Sequence, residues 1–426
     1  ALGGGYYTGP SQGVGASQWK RRIWGNYFTG ANIQDFEFYS SAAVYWREPG
    51  TSTMVNMDGM LNDQGRSMRD LGRLDAKLRT RGATYTPIAL LLDYNGGWRP
   101  HGYRWQHRLY HEGDDQVNEL FLTFFPVAGR SMWGIGYEVA NKDVANTPFG
   151  EIVDVLKPNL PSGVVPQAQL DAYKVLWMAG SWGPVKGPTG APINEPKLTA
   201  RITNYILNGG TLVANAAYLK GIAAGPPLDL NNDMLGVSMT GNVKRSSEAI
   251  FALDDEKRAP LKSDPFLYYP MQPAAGTQVI ARTPGGDPLM TLHRFGKGHV
   301  IVSAIEHNLT EATRLIVPAA ERLLRYLTHG LTPFIIEGRC RWIATARKDG
   351  WLLMLANNEG VFKDPQKDPE FDHYARKTIK ITFDGRVNSL KELTQDYNWP
   401  FKSQDGQSKC MITVPAGGVR VLFFKR

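Results

Sequence analysis

Gly82–Pro100 reads GATYTPIALLLDYNGGWRP. Ile88–Leu92 is an unbroken apolar run of strand length, closed by Asp93, Tyr94, Asn95, Gly96 and Gly97. Apolar residues at successive positions point to both faces of a strand, so this one expects cover on both sides, as in a parallel sheet between helices. The loop after the carboxyl end of such a strand is where open α/β sheets meet ligands. Here it presents Trp98. The residues before Gly82 read as a separate unit, and those after it as the α/β domain that this strand begins.

Working outward, the α/β pattern continues. Glu119–Phe125 fits a helix or a strand, Glu151–Leu156 a short strand, and Tyr173–Gly180 a buried strand stopped by glycine. Pro196–Leu207 places Leu198, Ile202, Tyr205 and Ile206 on one helical face. Gly209 and Gly210 end that helix, and Thr211–Ala214 is the next strand. Asp287–Leu292 and His299–Ile305 flank a tight turn at Gly296-Lys297-Gly298. A long helix is expected over Glu311–Thr328, kinked or split at Pro318. Alternating strands and helices argue for a doubly wound parallel sheet over 83–332.

Beyond Pro333 the pattern changes. Arg341–Ala344, Trp351–Ala356, Thr378–Phe383, Met411–Val414 and Val419–Phe424 are strand-like, separated by Gly, Asn and Asp turns, with no helical period. This predicts a small antiparallel β-sandwich over 333–426, with the charged segment Lys363–Lys377 as a mobile loop. On the other side of Gly82, a Gly/Ser-rich opening leads to a helix over Trp19–Phe28 and an aromatic strand over Ile33–Tyr39. A second amphipathic helix is marked by Met68, Leu71, Leu74 and Leu78. One strand and two helices cannot close a core, so residues 1–82 must complete something larger.

Composition bounds the function. The chain has 426 residues, 42% hydrophobic and 21% charged, as in ordinary globular proteins of two to three domains. No apolar run approaches the ~18 residues of a membrane-spanning helix. The opening ALGGGYYTGP has no basic and apolar leader pattern and no initial Met, which reads as a processed or truncated product. Two cysteines, Cys340 and Cys410, exclude a disulfide framework and a Cys-rich zinc site; one disulfide or two free thiols both fit. The charge of +8 attracts polyanions, yet no nucleic-acid motif is present, so an anionic polysaccharide is the better polyanionic partner.

Motifs exclude several chemistries. No cysteine lies between Gly82 and Thr332, which removes a glutaminase from an otherwise class I glutamine amidotransferase-like pattern. Gly236-Val-Ser238-Met-Thr-Gly241 has the wrong spacing for a nucleophile elbow, and Gly296-Lys-Gly298 is not a phosphate-binding loop. His107 and His111 stand four apart in the aromatic loop Asn95–Asp115, but no third ligand is evident, and the loop reads as packing with no metal site.

Trp19–Phe38, WKRRIWGNYFTGANIQDFEF, resembles the last helix and eighth strand of a (β/α)8 barrel in the beta-galactosidases of glycoside hydrolase family 42 and their relatives. Val55–Leu78 is similar to that family's closing loop and helix. TPIALLLDYNGGW is similar to the opening strand of its second, flavodoxin-like trimerisation domain, and the C-terminal strands to its β domain. The resemblance implies three parts: 1–82 the end of a barrel, 83–332 the flavodoxin-like domain, and 333–426 the β-sandwich. It implies a retaining hydrolase acting on a β-linked glycan through two carboxyl groups roughly 5–5.5 Å apart, without a cofactor. No acid occurs between Ala1 and Gln34, so the catalytic pair is expected upstream of this chain and no residue here is assigned to catalysis.

For substrate contact the resemblance singles out Glu37, at the carboxyl end of the presumed eighth strand, with Trp46 and Trp98 as sugar-stacking platforms. Read as structure alone, Glu37 pairs with Arg21 or Arg22 and the two tryptophans are core. The implied partners are an oligo- or polysaccharide, further copies in a homotrimer, and a second polypeptide carrying the rest of the barrel. A polysaccharide substrate places the protein in a secreted or periplasmic location. The competing function is a non-catalytic oligomerisation or carbohydrate-binding module.

Overall fold

The computed structural model describes residues 8–9, 12–13, 16–31, 63–92, 120, 123–124, 146–160, 163–179, 195–216, 230, 232–252, 260–306, 308, 316–362 and 370–426. They divide into two compact units, each drawn from separate stretches of chain. The first comprises 1–85, 124–152 and 332–426; the second comprises 86–123 and 153–331.

Along the chain, a two-stranded ribbon of β1 (Thr8–Gly9) and β2 (Gln12–Gly13) precedes helices α1 (Ala16–Phe28) and α2 (Asp63–Leu78), then β3 (Ala83–Thr84). The second unit then opens with β4 (Ile88–Leu92) and β5 (Val153–Leu156), followed by the small pair β6 (Asn159–Leu160) and β7 (Gly163–Val164). Next come α3 (Gln167–Leu170), β8 (Val175–Ala179), α4 (Glu195–Leu207), β9 (Thr211–Asn215), α5 (Asn232–Leu235) and β10 (Val237–Met239). The unit ends with β11 (Lys244–Phe251), β12 (Leu261–Tyr268), β13 (Met271–Pro273), β14 (Gln278–Arg282), β15 (Pro288–Phe295), β16 (Gly298–Ser303) and α6 (Pro318–Thr328).

Its main sheet runs β12-β11-β14-β15-β16-β9-β8-β4-β5. All five residues of β4 are buried, and β4 pairs in parallel with both β5 and β8. Each Leu or Ile hidden there contributes roughly 1.5–3 kcal/mol, so a charge at Leu90 or Leu91 would break the strand. The parallel part covers β5, β4, β8, β9 and β16. The remaining four strands are antiparallel, a departure from the all-parallel expectation. The cause is turn length: Gly296-Lys297 joins β15 to β16 with Phe295 opposite Gly298, too short for a crossover.

Gly298 has a steric reason. A Cβ there would overlap the carbonyl oxygens of Ile206 and Gly210 at the end of α4. That helix buries Leu198, Ile202, Tyr205 and Ile206, the face its sequence period marks, and packs on β9 and β16. Helix α6 starts at Pro318 rather than being split by it, since proline's missing N–H suits the first turn; residues 309–315 lie outside the described ones. The strands β10 to β14 have no counterpart in the sequence reading.

The first unit resumes with β17 (Phe334–Glu337), β18 (Arg341–Arg347), β19 (Gly350–Ala356), β20 (Val361–Phe362), β21 (Glu370–Phe371), β22 (Lys377–Asp384) and β23 (Ser389–Glu392). It closes with β24 (Tyr397–Asn398), β25 (Lys402–Gln404), β26 (Gln407–Val414) and β27 (Val419–Lys425). These give an antiparallel four-stranded sheet, β17-β22-β26-β25, and a six-stranded one, β24-β23-β27-β19-β18-β3. Phe334 and Phe383 of the first meet Phe424 of the second, with ring centroids 5.2 to 5.5 Å apart.

Strand β19, GWLLMLA, is apolar on both faces because both are covered. Trp351 stands opposite Phe424 and faces the phenylalanine cluster. Leu352, Met354 and Ala356 face the other way and join Val419 and Val421 in a core with Ile23, Trp24 and Phe28 of α1 and Leu71, Leu74 and Leu78 of α2. The helices that the resemblance assigns to a barrel end thus form the outer layer of the six-stranded sheet. Basic side chains meet their C-termini: Arg347 donates to Leu78 O at 3.1 Å and Arg81 to Ala31 O at 3.1 Å. This is the end where positive charge offsets the helix dipole.

Candidate functional site

Glu37, Trp46 and Trp98 lie outside the described residues, as do Arg22's side chain and the loop carrying His107 and His111. Arg21 is described and buried. Its Nη1 donates to Asn358 Oδ1 at 2.9 Å. Among the described residues no group of three or more His, Cys, Asp or Glu side chains could hold a metal, and no helix is long and apolar enough to cross a membrane. Both cysteines are free thiols, which removes the disulfide alternative; burial pushes each up to about 12, so neither is a thiolate nucleophile near neutral pH.

A buried polar cluster lies in the first unit. Arg341, at the start of β18, forms an ion pair with Glu151; only 7% and 3% of the two side chains are exposed. Arg341 Nη1 also donates to Arg21 O of α1 at 3.3 Å. Gly25 lies one helical turn further along, where a Cβ would overlap the guanidinium. Asn146 joins the next segment: its Oδ1 accepts from Asn358 N at 2.9 Å and its Nδ2 donates to Asn357 Oδ1 at 2.8 Å. Glu359 accepts from Asn146 N at 3.1 Å and pairs with Lys377 at 2.6 Å. The cluster therefore ties α1, residues 146–151 and the ends of β18 and β19 together. The Glu151–Arg341 pair, held by these further hydrogen bonds, orients the segments it joins.

Glu392 is the other buried carboxylate among the described residues. Its oxygens accept from Thr394 N at 3.1 Å, Thr394 Oγ1 at 2.5 Å, Gln395 N at 2.8 Å and Val421 N at 3.2 Å. With its lone pairs filled by three backbone N–H groups and the Thr394 hydroxyl, it fixes the turn 393–396. Asp396, at the tip with φ 57°, is held by Lys77 at 3.0 Å and Lys391 at 2.5 Å, and these ammonium groups keep its carboxyl below the usual range.

The turn presents aromatics. Tyr397 is 56% exposed and stands edge-on to Trp399 at 6.1 Å. Trp399 Nε1 donates to Met411 O at 3.0 Å, which fixes the indole beside β26. Met411 itself is 58% exposed. On the same outward face, Lys409 stands directly opposite Lys402 of β25. The sequence signals for these sites are slight. Asn357-Asn358-Glu359 follows the apolar β19 abruptly, and Tyr397-Asn398-Trp399 is an aromatic pair on a turn; neither forms a recognisable motif.

No protein family profile and no curated protein matches the chain. Solved structures do. A catalytic variant of a family 42 beta-galactosidase from G. stearothermophilus matches over 97% of this chain and 51% of its own, at 12% identity and a TM-score of 0.50. A beta-galactosidase from Bacillus circulans sp. alkalophilus matches over 87% and 46%, at 15% identity and 0.47. An alpha-L-fucosidase from Paenibacillus thiaminolyticus matches over 87% and 54%, at 12% and 0.49. The chain spans about half the length of the solved structures it matches. At 0.50 the first match supports a beta-galactosidase-like fold over the shared half.

Proposed function

We propose that this chain forms the C-terminal portion of a retaining glycoside hydrolase of the beta-galactosidase type that acts on a β-linked glycan. The observation that carries the reading is the overlap of 97% of the chain with about half of a family 42 enzyme. The order of the three sequence landmarks agrees with it. In this reading residues 1–82 finish a barrel, 83–332 form a flavodoxin-like domain that assembles a homotrimer, and 333–426 form the β domain. The catalytic acid/base and nucleophile belong to sequence upstream of Ala1. Both buried carboxylates among the described residues, Glu151 and Glu392, have structural partners, which is consistent with catalysis residing elsewhere.

The chain's own contribution is then to shape and line the sugar cleft. Glu37 would accept a hydrogen bond from a sugar hydroxyl, and Trp46 and Trp98 would stack on pyranose faces. Hydrolysis would proceed by double displacement without a cofactor. A polysaccharide substrate goes with a secreted or periplasmic location.

The test is hydrolysis of p-nitrophenyl β-D-galactoside, compared between this chain and a product extended through the reading frame upstream of Ala1. The extended product is expected to turn over and this chain alone to be inactive. An extended product inactive on aryl glycosides overturns the enzyme reading and leaves the non-catalytic assembly or binding module.

A further inference from the structure

We propose that the outer face of β22, β26 and β25, together with the Tyr397–Trp399 turn, binds an anionic glycan segment. The choice of a sugar ligand rests on the glycosidase reading; the choice of an anionic one rests on this surface. Lys402 and Lys409 are exposed and directly opposite each other on paired strands. Like charges in that position repel, and among the described residues neither lysine has an ion pair. Lys380 follows on the neighbouring strand, opposite Met411, with Glu337 across from it on the far edge strand. Among the described residues Asp384, opposite Gln407 at the end of β22, is the one acid beside Lys409 on this face of the strand, so the three lysines outnumber it next to the aromatics.

Those aromatics are held in place before any ligand arrives. Glu392 fixes the turn, Lys77 and Lys391 clamp its tip, and the Met411 carbonyl holds the Trp399 indole. An exposed ring on a rigid support costs little entropy to engage, and offers an apolar face to the C–H side of a pyranose. Two lysines whose Cβ atoms stand roughly 5 Å apart across the strands, on flexible stems, can reach the carboxylates or sulfates that recur along such a chain. Nucleic acid fits less well, because among the described residues of this turn Tyr397 is the one ring more than half exposed for a base to stack on.

Affinity electrophoresis of the whole chain, in gels containing polygalacturonate or neutral galactan, tests this. Retardation by polygalacturonate and none by galactan is expected. The double variant Lys402→Glu/Lys409→Glu should lose at least tenfold in apparent affinity, and Tyr397→Ala several-fold, with unchanged melting curves as the folding control. Equal retardation of the Lys402→Glu/Lys409→Glu variant overturns the proposal. So does a single-stranded oligonucleotide that binds as tightly as polygalacturonate and is indifferent to Tyr397→Ala, since that marks charge alone. The assay reads binding without turnover, so a failed hydrolysis test leaves it intact.

Discussion

Two buried carboxylates in the same unit are satisfied in opposite ways. Glu151 relies on a guanidinium 190 residues away in sequence, which itself reaches back to α1. Glu392 relies on N–H and O–H groups of its own turn and the adjoining strand. The first arrangement makes three distant segments interdependent, and the second stiffens four residues. A buried charge thus serves long-range assembly when its partner is a side chain, and local shape when its partner is the backbone.

The largest expected effect comes from stranding one member of the distant pair. Arg341→Met should cost about 3–5 kcal/mol in urea denaturation, because Glu151 is left charged and buried. The double variant Arg341→Met/Glu151→Met should recover most of that; a double variant as unstable as the single one would break the comparison. Gly25→Ala should cost roughly 1–3 kcal/mol by crowding the guanidinium. An unobstructed helix interior would instead gain about 1 kcal/mol from the same change, and that gain should emerge when Arg341→Met is added.

Glu392→Gln places an amide donor against N–H groups, and should cost roughly 1–3 kcal/mol, with amide exchange rising chiefly over 393–396. Faster exchange at α1 would show that this turn is not local.

Exposed charges set the lower limit of the comparison. Asp287 accepts from Lys244 at 2.8 Å and Tyr268 at 2.6 Å, and these contacts hold its carboxyl below 3.8. Its stabilisation is present above pH 3.8 and lost as pH falls through the lower folded value. Tyr268, pushed up to about 12 by burial and by Asp287, adds a contribution present below pH 10 and lost as pH rises toward 12. Tyr268→Phe should flatten both limbs of a stability–pH curve by under about 1 kcal/mol. Smallest is Lys409→Glu, expected to stabilise the chain by about 0.2–1 kcal/mol in thermal melts through a favourable cross-strand pair with Lys402.

What the sequence disclosed follows from where the physics is local. The face Leu198, Ile202, Tyr205 and Ile206 of α4 is set by helical period, and the Gly296-Lys297-Gly298 turn by chain geometry, so both could be read directly. Strand β11, KRSSEAIF, carries too many polar residues for an apolar signal; it is a strand because β12 and β14 pair with it. The Arg341–Glu151 contact depends on chain return across 190 residues, which no local pattern encodes. Glu37, Trp46 and Trp98, which the resemblance alone marks for sugar contact, fall outside the described residues.

The interleaving of the two units has a consequence for synthesis. Ala83–Thr84 belongs to the six-stranded sheet and Ile88 to the nine-stranded one, so the chain leaves the first unit before finishing it. Helices α1 and α2 emerge before all of the strands that cover Ile23, Phe28, Leu71 and Leu74, the last of which carries Val419 and Val421. At about 5–20 residues per second, some 340 residues pass the ribosome in roughly 15–70 s. During that interval the second unit can close on itself while the apolar faces of α1 and α2 wait for the strands that cover them.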